Sequence, residues 1–390
     1  MINFISHPYH RGGVTSWIID SLNYLHNTNQ PGRLITVQPK KEFISGQGRP
    51  LIQSLISHDQ PHIRVADYTY ELGTLEYRAA VLAKAIQKNV PKKEVLIPSD
   101  DEASWMACAM VAKDYKVIGV LHSDDKAYYT LFSKYQDYCD GVVSVSNRIL
   151  RNLRPSKTNT FVIPCGIQVH PYQPQHRTNK LVFVGRLDEE QKRVSDIIPI
   201  ILALKSKTQD FVLEIWGHGG ATPVLKQAIQ EHGLGKHVKM MGWGTKEDIY
   251  TSLKEAKVLL QTSNYEGMSV AVMEALANGC TVVSSRVSGV EDYENLEEAG
   301  NIIHLFPIGD VNKAAELCKI ALDNFSKDQA DQAHHLFTTY FHIKACLNSY
   351  LQFAASLKPR IKKQYPVPSN FSKLFSKVRA HSRLLKYILS

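Results

Sequence analysis

The sequence predicts a two-lobed α/β protein, each lobe a parallel sheet wrapped by helices. Three observations lead there. The chain has 390 residues, more than one ordinary core holds, since domains cluster at roughly 100–200 residues. Short β-branched runs alternate with longer amphipathic stretches, as in strands joined by crossover helices. A stretch of little apolar periodicity, Gln168–Asn179 with Pro171 and Pro174, splits that series in two.

In the first series the expected strands are Ile2–Ser6, Arg33–Val37, Glu94–Pro98, Lys116–His122, Gly141–Ser146 and Thr160–Pro164. The second series offers Lys180–Gly185, Phe211–Trp216, His237–Gly242, Lys257–Thr262, Thr281–Ser285 and Asn301–Phe306. Helical periodicity then runs over His334–Leu357 and resumes beyond Pro366 and Pro368. The expected division is an N-terminal Rossmann-like lobe over 1–168, a linker over 169–179 and a C-terminal lobe over 180–345. A crossing helix with its linker over 346–365 and a tail helix over 366–390 follow. Ligands of open α/β sheets bind beyond the C-terminal strand ends, so the two lobes should face one another across a binding cleft.

Composition narrows the class. Apolar residues at 44% and charged ones at 21% suit a folded, water-soluble protein. Six scattered cysteines form no C-x-x-C pair, which fits reduced, mostly buried thiols. Residues Met1 to Ser6 lack a basic n-region and a long apolar run, so no signal peptide and a cytoplasmic location are expected. No stretch approaches the roughly 20 apolar residues of a membrane span.

The net charge of +9 is concentrated. Nine Lys and Arg and no acid fall between Lys358 and Ser390, leaving 37 cations against 37 acids in the rest. A balanced body argues against a nucleic-acid groove and points to an anionic partner at the tail.

The sharpest local feature is Asn264-Tyr265-Glu266-Gly267-Met268-Ser269, which follows a strand and opens a helix carrying Glu274 eight residues after Glu266. Amides of Gly267, Met268 and Ser269 at the helix head form a natural cradle for a diphosphate, with the helix dipole adding favourable potential. Taken alone, the two glutamates read rather as a helix-terminal charge and a solvated face residue. A second feature is Val184-Gly185-Arg186-Leu187 at a strand end, with Lys192 six residues past Arg186. Arg186 can fork onto two phosphate oxygens while Lys192 supplies a point charge.

Together with Pro164-Cys165-Gly166-Ile167 and the turn His10-Arg11-Gly12-Gly13-Val14, these motifs resemble the family-4 retaining glycosyltransferases, in the same order over roughly residues 1–345. The resemblance implies the GT-B fold. It also implies a UDP- or GDP-sugar donor, with no further cofactor. By resemblance, Glu266 contacts the transferred sugar, Glu274 holds the ribose hydroxyls, and Arg186 and Lys192 neutralise the diphosphate. Gly12 and Gly13 lie near donor phosphate and acceptor, His122 lies close to the donor sugar, and Trp243 lies near the nucleobase.

The sequence departs from its relatives at Gly217-His218-Gly219-Gly220, where an acidic residue is common at the second position. Asp100-Asp101 and Asp124-Asp125 are adjacent pairs rather than the D-x-D of metal-dependent transferases, so no metal is expected. The implied reaction moves a hexose-type sugar onto a glycan or lipid-linked acceptor, in envelope polysaccharide or glycolipid synthesis. A nucleotide-sugar epimerase and a non-catalytic partner subunit on the same fold are the alternatives.

The tail repeats apolar residues at Phe371, Leu374, Phe375, Val378, Leu385, Ile388 and Leu389, with Lys373, Lys377, Arg379, Arg383 and Lys386 elsewhere around it. Such a helix lies in a bilayer interface, each cation contributing about 1 kcal/mol near an anionic surface. The full chain is therefore expected to float with anionic vesicles, and the chain lacking 366–390 to stay behind. Equal flotation of both contradicts a membrane role for the tail.

Overall fold

Two all-parallel sheets organise the protein in a computed structural model that describes residues 1–366 apart from 10, 11, 39–50, 57, 68, 69, 170, 174, 295, 297, 298, 359, 361 and 364. The first sheet contains β1 (Ile2–Ile5), β2 (Gly32–Gln38), β3 (His62–Ala66), β4 (Val95–Pro98), β5 (Lys116–Leu121), β6 (Gly141–Ser144) and β7 (Asn159–Val162). The second contains β8 (Lys180–Val184), β9 (Val212–Trp216), β10 (Val238–Gly242), β11 (Val258–Gln261), β12 (Thr281–Ser285) and β13 (Ile303–Phe306). His10 and Arg11 of the glycine turn, most of the 39–60 loop and the tail beyond Pro366 lie outside the described residues.

The strand orders are β3-β2-β1-β4-β5-β6-β7 and β10-β9-β8-β11-β12-β13. Each is the doubly wound pattern, in which the chain reverses direction of travel once. That reversal opens a crevice between β1 and β4 in one lobe and between β8 and β11 in the other. The helices that cover the sheets in the first lobe are α1 (Gly13–Asn27), α2 (Leu75–Asn89), α3 (Glu102–Val111), α4 (Lys126–Tyr135) and α5 (Asn147–Asn152). The second lobe has α6 (Ile197–Lys205), α7 (Thr222–Glu231), α8 (Lys246–Glu255), α9 (Val270–Ala277), α10 (Val311–Asp323) and α11 (Lys327–Tyr340), and α12 (Ile343–Ser356) follows.

All twelve expected strands are present to within two residues at each end. Their legibility has a cause. Central strands such as Val282–Val283 and Val142–Val143 are buried on both faces and read as continuous apolar runs. Strand β3 goes unrecognised in the sequence because it is an edge strand, where His62 and Arg64 alternate with partly exposed Ile63 and Val65.

A single helix over His334–Leu357 is not what forms. The backbone leaves the helix at Phe341-His342, because Ile167, just before the linker, donates to the Phe341 carbonyl at 3.0 Å and accepts from the Ile343 amide at 3.1 Å. His342 then caps α12 by accepting from the Lys344 amide. Beyond the break α12 crosses to the first lobe: the Tyr350 ring lies 5.6 Å from Trp17 of α1, and Lys116 Nζ donates to the Ala354 carbonyl at 2.9 Å. No helix among the described residues is long and apolar enough to cross a membrane. All six cysteines are buried and free.

The segment after α12 stays fastened. Lys362 Nζ lies 2.6 Å from Asp140 Oδ2, with side chains 6% and 5% exposed, and also donates to the Ala112 and Tyr115 carbonyls at 2.6 Å each. Removing one partner of a buried ion pair strands the other charge, a loss of about 3–5 kcal/mol. Lys362→Ala should lower unfolding free energy by that amount in urea titration; an unchanged midpoint contradicts the tie.

Candidate active site

A cavity of about 940 Å³ lies between the lobes, at the C-terminal ends of β1, β4, β5, β8 and β11. Every site residue singled out in the sequence lines it: Gly12, Gly13, His122, Arg186, Lys192, Trp243, Glu266, Gly267, Met268, Ser269 and Glu274.

The floor is built by two loops locked to one another. After β8, Asp188 Oδ1 accepts from the amides of Gln191 and Lys192 at 2.9 and 3.2 Å, which turns Lys192 back toward the strand end. After β11, Thr262 Oγ1 donates to the Lys192 carbonyl at 2.8 Å and the Asn264 amide donates to the Gln191 carbonyl at 2.7 Å. The outcome is a contact between Lys192 Nζ and Glu266 Oε1 at 2.6 Å, with side chains 13% and 7% exposed. Ser263 Oγ donates to the same oxygen at 2.7 Å, and Gln191 Nε2 reaches Glu266 Oε2 at 3.4 Å. Arg186 donates to Gln191 Oε1 at 2.7 Å and extends into solvent, 68% exposed. Gln191 links Arg186 to the glutamate, which Lys192 meets directly, a role sequence reasoning missed; the Asp-x-x-Gln turn is the signal that marks it.

Glu266 is thus a buried carboxylate, not a solvated helix-terminal charge. Its neighbour Gly267 is fixed by close approach: a Cβ there would fall 1.7 Å from the His122 carbonyl oxygen. Ser123 and Gly267 form an antiparallel bridge, and the Asp124 amide donates to the Glu266 carbonyl at 3.2 Å. The lobes are therefore joined by backbone at the centre of the cleft. Around the rim they also meet through Ser146 and Ser288 (Oγ to Oγ 2.5 Å), the Asn147 amide and Asp292 (2.7 Å), and Arg148 and Glu291 (2.7 Å).

Ser269 caps α9 without a side-chain cap bond, and its buried hydroxyl has no hydrogen-bond partner. That leaves a donor–acceptor group at the head of a helix facing the cavity. The glycine turn of the opposite lobe comes against this head. Gly12, at φ 127°, caps α1, and a Cβ on Gly13 would lie 3.2 Å from Val270 Cγ2.

His122 is 8% exposed, its ring 5.0 Å from Trp17 and its Nδ1 3.6 Å from Cys165 Sγ. Its Nε2 lacks a partner. Burial depresses its pKa to about 4 against an opposing pull from Asp100, so the ring is neutral at neutral pH. Glu274 sits half-buried on α9. Burial raises its carboxyl to about 7, which Lys246 counters and Asp20 reinforces. Trp243 stands at the lip, 75% exposed, an apolar platform open to a planar ligand. Tyr265 of the Glu266 motif and Asp100 of the Asp-Asp pair also line the cavity, as do Trp17, Tyr128 and Trp216, which no sequence motif marks. Among the described residues no group of three or more His, Cys, Asp or Glu is placed to hold a metal ion.

Residues 169–332 match the family described as Glycosyl transferases group 1. The chain is 29% identical over 184 residues to the amylovoran biosynthesis glycosyltransferase AmsK of Erwinia amylovora, covering 46% of this chain and 43% of that one. It is 29% identical over 166 residues to the lipopolysaccharide 1,6-galactosyltransferase of Salmonella typhimurium, covering 40% and 45%. The chain thus spans less than half the length of these curated relatives. A crystal structure of S. aureus TarM in complex with Fondaparinux, alpha-GlcNAc-glycerol and UDP superposes with a TM-score of 0.74 at 14% identity, covering 91% of this chain and 99% of that one. The fold is GT-B.

The raised carboxyl of Glu274 yields a signed expectation. Below pH 7 it is protonated in the empty cleft; should it hold a ribose diol, as the resemblance implies, the donated hydrogen bonds favour the ionised form and expel the proton. UDP affinity should therefore climb with pH up to about 7 and then level. The phosphate of UDP titrates near 6 by itself, so the signal is the difference in slope between wild type and Glu274→Gln by calorimetry. Identical slopes contradict the assignment.

Proposed function

We propose that this chain is a retaining glycosyltransferase that moves a hexose-type sugar from a UDP- or GDP-sugar to a glycan or lipid-linked acceptor. The observation that carries the reading is the buried Lys192–Glu266 contact, with Arg186 beside it, at the head of α9 in a cleft between two Rossmann-like lobes. A match to group 1 glycosyl transferases over the lobe that contributes those residues supports it. Relatives named for amylovoran synthesis and for lipopolysaccharide galactosylation support a role in envelope polysaccharide or glycolipid synthesis. In that role the protein works at the inner face of a membrane, with the basic tail as its contact.

Departure of a nucleoside diphosphate builds negative charge on phosphate and positive character on the sugar ring. Preorganised groups aimed at that charge are the largest catalytic contribution in such sites. Arg186 forks onto the phosphates. Lys192 exchanges Glu266 for a phosphate oxygen, and the amides of Met268 and Ser269 complete the cradle, so the charge is met without a metal. Glu266, released by Lys192, accepts hydrogen bonds from hydroxyls of the transferred sugar. His122, neutral and with Nε2 unpartnered, is suited to a sugar hydroxyl. Glu274 accepts from the ribose diol, and Trp243 stacks on the base. The acceptor attacks from the face the diphosphate leaves, and the departing phosphate takes its proton, which retains configuration.

Arg186→Ala, Lys192→Ala and Glu266→Ala should each lose about 2.7–4 kcal/mol of transition-state stabilisation, a hundred- to thousandfold in turnover. Proton NMR of the product should show the donor's anomeric configuration. Wild-type transfer rates in Glu266→Ala and Arg186→Ala together, or an inverted product, contradict the mechanism.

A further inference from the structure

The two Asp-Asp pairs leave one carboxylate without a structural task. Asp101 caps α3 by accepting from the Ser104 amide at 3.0 Å and holds the Ser99 hydroxyl at 2.8 Å. Asp125 caps α4, accepting from the Ala127 and Tyr128 amides at 2.8 and 3.2 Å. Asp124 accepts from Tyr129 and Asn152. Asp100 does none of this. It follows β4 at the reversal point of the first sheet, lines the cleft with its side chain 30% exposed, and meets His7 Nε2 at 3.3 Å.

His7 follows β1, the strand adjacent to β4, and is 5% exposed. Burial pushes the Asp100 carboxyl up, but the hydrogen bond with His7 helps to bring it below the usual value. Asp100 is therefore an ionised acceptor on the wall opposite Arg186 and Lys192, beside His122 and Tyr128. A carboxylate there repels phosphate and accepts only from donors. Among the described residues that line the cleft, Arg186 and Lys192 come from the second lobe, beside Glu266 and Glu274, while the first lobe contributes the carboxylates Asp100 and Asp125 and no Lys or Arg.

We propose that Asp100 holds the acceptor, accepting a hydrogen bond from one of its hydroxyls, and that the acceptor unit seated there is an uncharged sugar rather than a phosphate-bearing group. The inference rests on the glycosyltransferase reading. A second hydroxyl of that unit forms the new bond to the anomeric carbon. The bond from that carbon to the diphosphate oxygen breaks with its electron pair, and the hydroxyl proton goes to the departing phosphate. Asp100 gains and loses no proton; it decides which oxygen faces the sugar.

The test measures UDP release from a UDP-hexose, with methyl hexosides or hexose 6-phosphates supplied as acceptors. Wild type, Asp100→Ala and Asp100→Asn are compared, with the Kd for UDP measured on each. A hydrogen bond to a charged group is strong enough that its loss should raise KM for the stimulating methyl hexoside about 10- to 100-fold in Asp100→Ala. Asp100→Asn keeps a weaker acceptor and should lose less. The UDP Kd should stay within about twofold in both, which a collapsed cleft would not allow. Wild type should prefer methyl hexosides to hexose 6-phosphates, and Asp100→Ala should erase that preference. The proposal is overturned by an unchanged KM, by a wild-type preference for the phosphates, or by the absence of any stimulation by methyl hexosides. Failure of the wild type to bind UDP or GDP at all sinks the glycosyltransferase reading itself, a separate outcome.

Discussion

Lys192 and Glu266, withdrawn from water and 2.6 Å apart, neutralise one another at the centre of the cleft. Two buried charges are costly unless each finds partners, and the loops after β8 and β11 are shaped to provide them. Asp188 turns one loop, Thr262 and Asn264 tie it to the other, and Ser263 and Gln191 fill the remaining valences of the carboxylate. An empty site held this way is preorganised but balanced. In the proposed reaction an incoming dianion would compete for the lysine and free the glutamate in the same motion, so the cation for the diphosphate and the carboxylate for the sugar would become available together.

The same loop fixes how the lobes meet. Gly267 lies so close to the His122 carbonyl that no side chain fits between them. The bridge to Ser123 is made by backbone and depends on shape alone. His122 and Glu266 flank that bridge, one from each lobe, so the bridge fixes the distance between them.

Much of this was legible in the sequence, and the remainder was hidden for identifiable reasons. Central strands announced themselves because both faces are buried, and β3 did not because His62 and Arg64 interrupt its apolar run. The break at Phe341-His342 arises from pairing with Ile167, more than 170 residues earlier in the chain, and no local propensity encodes it. Arg186, Lys192, Glu266 and Glu274 stood out because their spacing follows strand ends and a helix head. Gln191 and Asp100 did not, since what distinguishes them is which neighbour they face. Asp100 was visible only as half of a doublet, and its partner His7 comes from a strand 93 positions away.

The crossing of α12 has a consequence for biosynthesis. Gly141 of β6 lies against Phe353, and Trp17 against Tyr350, so the first lobe is sealed by a helix that follows the whole second lobe in the chain. At roughly 5–20 residues per second, the first lobe emerges and waits some tens of seconds for α12 while the second lobe is being made. Throughout that interval an apolar flank is open to chaperones and to neighbouring nascent chains. Truncation upstream of α12 would leave this exposure permanent, so the outermost helix of the finished molecule is also its guard against misassembly.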